Sequence, residues 1–153
     1  MSGEAFLDSN IFIYAFDKTA MQKRELARSL IRQVLRDGAG IISYQVVQEV
    51  LNVLTRKVAV PMSAGDAARY LASTLEPLWR VQPSAALLQS GLSIQARYQF
   101  GFYDALIVAA ALVAGCSRLY SEDLRHGQMI NELTIINPFK DCVAHESCAD
   151  YGL

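Results

Sequence analysis

The stretch Ala5-Phe6-Leu7-Asp8-Ser9-Asn10, close to the start of the 153-residue chain, decides how the rest is read. Three apolar residues in a row predict a short buried strand, and Asp, Ser and Asn are the types that cap a helix N-terminus. Residues 11–16 then read as a short helix. A strand passing straight into a helix opens a βα unit, and the same alternation continues downstream. An amphipathic helix is expected over residues 20–36, with Leu26, Leu30, Ile31, Val34 and Leu35 on its apolar face and Asp37-Gly38 stopping it. Residues 40–43 predict a second strand. Residues 44–58 predict a helix with Val46, Val47, Val50, Leu51 and Leu54 as its stripe. Ser63 and Asp66 form a capping-box variant that opens a helix reaching about Leu75. A strand at 79–81, a helix at 84–99, a turn at 100–102 and an almost wholly apolar helix at 103–115 follow. Strands at 118–121 and 133–136 close the series. This order predicts an α/β fold, a three-layer α/β/α sandwich around a short, mostly parallel central sheet. Residues 1–140 are expected to form one domain and 141–153 a C-terminal tail.

Composition narrows the function classes. With 52% hydrophobic residues, 19% charged, 9 Gly and 4 Pro, the chain is neither disordered nor of low complexity. Fourteen Lys and Arg against 15 Asp and Glu give a net charge of −1. That excludes nucleic-acid binding through overall charge, so any such partner must be held by a local basic patch, a metal or a second chain. The most apolar stretch, residues 105–116, is too short for a membrane span of about 20 residues. No secretory signal opens the sequence, so a cytoplasmic location with reduced thiols is expected for Cys116, Cys142 and Cys148. A Cys142–Cys148 bridge closing a small loop is the alternative.

The acids fall where chemistry is expected. Clefts in parallel sheets open beyond the carboxyl ends of the strands. Asp8 ends the first strand, Asp123 lies just past the strand that stops at Ser121, Asp104 sits in the first turn of the most apolar helix, and Glu49 lies off its helix's apolar stripe. Carboxylates crowded together repel one another unless a cation neutralises them, and an all-oxygen donor set suits Mg²⁺ or Mn²⁺. Such a site activates water and stabilises charge on a phosphodiester. Each acid also has a plain structural reading. Asp8, Asp104 and Asp123 can serve as helix-terminal acids, and Glu49 as a solvated surface charge. Asn10 and Ser121, each two residues from an acid, can orient a ligand or make ordinary turn hydrogen bonds.

Four segments resemble the motifs of PIN domains, in the family's order. Residues 6–15, Phe-Leu-Asp-Ser-Asn-Ile-Phe-Ile-Tyr-Ala, are similar to the family's opening strand and acid. Residues 45–50 resemble its second acid helix, 102–111 its third motif, and 119–124 its Ser-x-Asp motif. The length is similar to that of the family's toxin members, the VapC-like ribonucleases of bacterial toxin–antitoxin pairs. The resemblance implies that Asp8, Glu49, Asp104 and Asp123 bind Mg²⁺ or Mn²⁺ and carry endonucleolytic RNA cleavage. It also implies a homodimer silenced by a cognate antitoxin. Glu122 beside Asp123 leaves open which carboxylate faces the metal, although the Ser-x-Asp spacing favours Asp123.

The acids repel RNA, so basic residues at the cleft rim must grip phosphate. Arg24, Arg56, Lys57, Arg97 and Arg125 are the candidates, each with the alternative of an ordinary solvated charge. Tyr14 and Tyr103 flank acids and can stack a base or pack in the core with the hydroxyl at the rim. His126 reads as a surface histidine rather than a general acid. One rival is a catalytically silent PIN-like interaction module. A signalling receiver domain is another, but it lacks the acceptor Asp and the Lys it needs at strand ends. A phosphatase with an Asp nucleophile would want a second acid where Asn10 stands.

Overall fold

All three residues of β1, Ala5–Leu7, are buried in the computed structural model, which describes residues 4–142. Cys148 and the expected tail from residue 143 onward lie outside the described residues. β1 passes through Asp8 into the six-residue helix α1, Ser9–Tyr14, whose Ile11 and Phe12 are fully buried. α2, Met21–Asp37, then runs back along the sheet and ends at Gly38, whose φ of 65° is the left-handed conformation glycine adopts freely.

β2, Gly40–Ser43, pairs in parallel with β1. A side chain at Gly40 would not fit, because a Cβ there would lie 2.7 Å from Val34 Cβ of α2. Ser43 caps α3, Tyr44–Arg56, by accepting from the Val46 N–H. α4, Ala64–Tyr70, starts with Ser63 accepting from the Asp66 N–H, as the capping pattern predicts. β3, Trp79–Val81, lies at the sheet edge beside β2. α5, Ala85–Tyr98, packs on α6, Phe102–Val113, and α6 lies across β2 and β4. β4, Arg118–Tyr120, is followed by the hairpin of β5, Met129–Ile130, and β6, Leu133–Ile136.

Among the described residues the sheet order is β3-β2-β1-β4-β6-β5, and every neighbouring pair is parallel except the β5–β6 hairpin. Helices flank this sheet, so the expected α/β architecture is the observed one. The chain builds outward from β1 through β2 to β3, then returns to place β4 on the other side of β1. Strand order therefore reverses between β1 and β4, and a crevice opens beyond their carboxyl ends. Asp8 and Ser121 are the residues that follow those two ends.

Three local expectations need correcting. Leu26 is 41% exposed, because α2 turns Ala27, Ile31 and Val34 inward and consecutive residues point about 100° apart. The helix expected to reach Leu75 changes character at Leu71. Residues Leu71–Leu75 form a π turn, in which the Glu76 N–H reaches the Leu71 carbonyl at 2.8 Å. Finally, β5 is a strand of two residues, too short to leave an alternating pattern.

Candidate active site

Asp8 is 4% exposed, which is costly for a carboxylate unless it is paired or protonated. One of its oxygens accepts from the Ser9 N–H at 2.7 Å, so it does cap α1. The other accepts from the Ser121 hydroxyl at 2.7 Å, joining the ends of β1 and β4 across the switch point. Burial pushes the Asp8 carboxyl up to about 7. That value already balances the hydrogen bonds from Ser121 and Ser9, which lower it, against the negative charges of Glu49 and Asp123, which raise it.

Ser121 does a second job by accepting from the Asp123 N–H at 3.1 Å. Asn10 ties the same loop to α1. Its side-chain amide donates to Asp123 at 3.1 Å and its carbonyl accepts from the Glu122 N–H at 3.3 Å. Both polar residues singled out in the sequence therefore orient acids.

Glu122 is held by a cluster of its own. Its carboxylate accepts from Tyr14 Oη at 2.6 Å and from Lys23 Nζ at 2.7 Å. Tyr14 also packs its ring on Phe139, with centroids 4.9 Å apart. Lys23 sits over the Tyr14 ring at 4.8 Å. Asp123, beside Glu122, is exposed, accepts from Asn10 and exerts its charge on Asp8 and Asp104.

Asp104 sits half-buried in the first turn of α6, where burial first and then the Asp123 charge raise its pKa. Glu49, on α3, accepts from the Gln45 amide at 3.2 Å, and the same amide donates to the Tyr103 carbonyl at 3.2 Å. Gln45 thereby links the helix of Glu49 to the first turn of α6, which carries Asp104. Its position four residues before Glu49 on one helix face is the signal that could have found it.

The geometry thus unites Asp8, Asn10, Ser121 and Asp123 by hydrogen bonds. Asp104 and Glu49 join them through the charges they exert or feel. The proposed phosphate grips are more scattered. Arg56 lies two turns beyond Glu49, Lys57 caps α3, and Arg125 is exposed two residues past Asp123. Arg97 holds its guanidinium 5.4 Å from the Tyr98 ring in the last turn of α5. Arg24 is half-buried on α2. His126 accepts from the Asn137 N–H through Nδ1 at 3.0 Å, a structural contact of the loop after β4.

Among the described residues, no group of three or more His, Cys, Asp or Glu is arranged to hold a metal ion outright. The donor chemistry nonetheless fits a hard divalent cation. All four acids offer oxygen, and Mg²⁺ keeps several waters while binding one or two carboxylates directly. The nearly buried Asp8, bearing the repulsion of Glu49 and Asp123, is the observation that fits best, since a cation relieves that repulsion.

The PIN domain family profile matches residues 5–130. The chain belongs to the PIN domain family. PIN domains are generally nucleases. Solved structures share this PIN fold at low identity. A chain of a toxin–antitoxin complex from Klebsiella pneumoniae is 18% identical with a TM-score of 0.62, over 88% of this chain and 98% of its own. FitAcB from Neisseria gonorrhoeae is 15% identical with a TM-score of 0.58, over the same 88% and 98%. VapC20 of Mycobacterium tuberculosis, described as a sarcin–ricin-loop-cleaving toxin, is 17% identical with a TM-score of 0.55, over 76% of this chain and 87% of its own. No curated protein sequence matches this PIN chain significantly.

Proposed function

We propose that this PIN domain is a Mg²⁺- or Mn²⁺-dependent endoribonuclease, the toxin of a toxin–antitoxin pair. The observation that carries the reading is the buried Asp8 bonded to Ser121 at the strand switch point, with Glu49 and Asp123 in electrostatic reach of it and Asp104 in reach of Asp123. In this reading Asp8, Asp104 and Asp123 hold the cation, with Glu49 as a further ligand or as the group that orients water. When bound, the cation supplies Lewis-acid charge for hydrolysis of a phosphodiester.

The chain's own residues do the positioning. Ser121 fixes Asp8 and the Asp123 backbone together, Asn10 fixes the Asp123 carboxylate, and Gln45 fixes Glu49. Tyr103, 67% exposed beside Asp104, is placed to stack a base of the RNA. Arg24, Arg56, Lys57, Arg97 and Arg125 are the candidate phosphate contacts.

An antitoxin and a second copy of the chain are the protein partners in this reading. Exposed Leu88 and Tyr103, which line an apolar cleft of about 450 Å³ between α3, α5 and α6, support a protein-covered face. No helix among the described residues is long and apolar enough to cross a membrane.

The test is incubation of the purified chain with a mixed RNA pool in Mn²⁺, Mg²⁺ or EDTA. Metal-dependent cleavage is expected. If Mn²⁺ raises thermal stability but no RNA is cut, the silent binding module replaces this reading.

A further inference from the structure

α2 carries Arg24, Arg28, Arg32 and Arg36 at a constant spacing of four residues. Residues four apart lie one above the other on a helix, so these form a single slanting row about 18 Å long. With Lys23, five of the chain's 14 Lys and Arg fall within these 17 residues, against the two acids Glu25 and Asp37. In a chain of net charge −1 this is a concentrated basic face.

Helix stability does not call for such a row, since like charges at this spacing disfavour the helix. The arginines are not neutralised either. Among the described residues Arg24, Arg28 and Arg32 make no ion pair, and Arg36 has only the adjacent Asp37 at 4.0 Å. Arg24 Nε is buried without a hydrogen-bond partner. Arg28 is anchored by its Nε, which donates to the Ala15 carbonyl at 2.8 Å and leaves its terminal nitrogens unused by any ion pair.

The row also starts beside the loop that carries Asp123. Lys23, the residue before Arg24, reaches Glu122 beside Asp123. From there α2 leads away from the carboxyl ends of the strands.

We propose that this arginine row binds the sugar–phosphate backbone of an RNA strand where it leaves the active site. The proposal rests on the ribonuclease reading and deepens it, because the substrate is then gripped several nucleotides beyond the cut. Every member is arginine, whose planar fork pairs two N–H groups with phosphate oxygens. The rise of about 6 Å between members is of the order of the step between successive phosphates of an extended strand. A regular row suits a regular polyanion better than the irregular charges of an acidic protein segment.

The test compares two forms of the full chain, both carrying Asp104→Asn to block cleavage, one also carrying Arg32→Gln and Arg36→Gln. Both arginines are exposed and glutamine is a good helix former, so the melting temperature is expected to hold. Binding of a labelled 16-nucleotide oligouridine is followed by anisotropy across a NaCl series. Loss of two phosphate contacts should weaken binding about tenfold at low salt and reduce the slope of log K against log[salt] by about 1.4. Equal affinity and slope in the two forms, with the wild type still cutting RNA, overturns the row alone. RNA neither cut by the wild type nor bound by any form overturns the row and the ribonuclease reading together. Unchanged RNA binding with lost poly-glutamate binding assigns the row to an acidic protein segment and overturns the proposal.

Discussion

Asp8→Asn separates the carboxylate's cost to folding from its use. The Asp8 carboxyl is raised from 3.8 to about 7, chiefly by burial. Between those values the folded chain keeps a proton that the unfolded chain has released. Stability in the absence of metal therefore falls as pH rises through that window. Fully developed above pH 7, the displacement is equivalent to about 4 kcal/mol. Asparagine keeps an acceptor for the Ser9 N–H and offers the Ser121 oxygen a donor, but never ionises. In EDTA at pH 8 the variant should be more stable than the wild type by about 2–4 kcal/mol, a melting temperature higher by about 5–10 °C. At pH 4 the wild-type carboxyl is protonated and the difference should shrink to under about 1 kcal/mol. Thermal melts at the two pH values read both numbers. A variant less stable than the wild type at pH 8, by the same margin as at pH 4, would refute the reasoning.

Further perturbations test the supporting contacts. Asn10→Ala removes the bond to Asp123 and the brace on the Glu122 N–H, and should weaken Mn²⁺ binding about tenfold or more, read by calorimetric titration. Glu122→Gln discharges an ion pair whose side chains are only 12% and 21% exposed, and should cost about 1–3 kcal/mol in urea denaturation. Gly40→Ala drives a methyl to within 2.7 Å of Val34 Cβ and should cost about 1–3 kcal/mol in the same assay.

Much of the fold was legible because its signals are local. β1, the helix openings at Ser63 and Ser84, and the apolar stripe of α3 are each set by neighbours in sequence. Asp8 shows that the structural and functional readings were not rivals, since one carboxylate caps α1 and faces the other acids. Its two oxygens allow both. What stayed hidden depended on distant partners. The partners that engage Glu122 are Tyr14 and Lys23, about a hundred residues away in sequence. The two stacking tyrosines separated for the same reason, with Tyr14 packed on Phe139 and Tyr103 left exposed. Leu26 misled because the apolar pattern of α2 is wider than the face that Ala27 brings against its neighbours. The near-neutral charge count concealed two opposite concentrations, the acids at the switch point and the arginine row on α2.

The central claim is that these carboxylates cut RNA with the help of a divalent cation. Its most direct measurement is the cleavage rate of one defined RNA by the wild type and by Asp104→Asn, each in Mn²⁺ and in EDTA. Cleavage is expected only by the wild type in Mn²⁺, restored when Mn²⁺ is returned after chelation. Cleavage that persists in EDTA, or at the wild-type rate in Asp104→Asn, would contradict the claim.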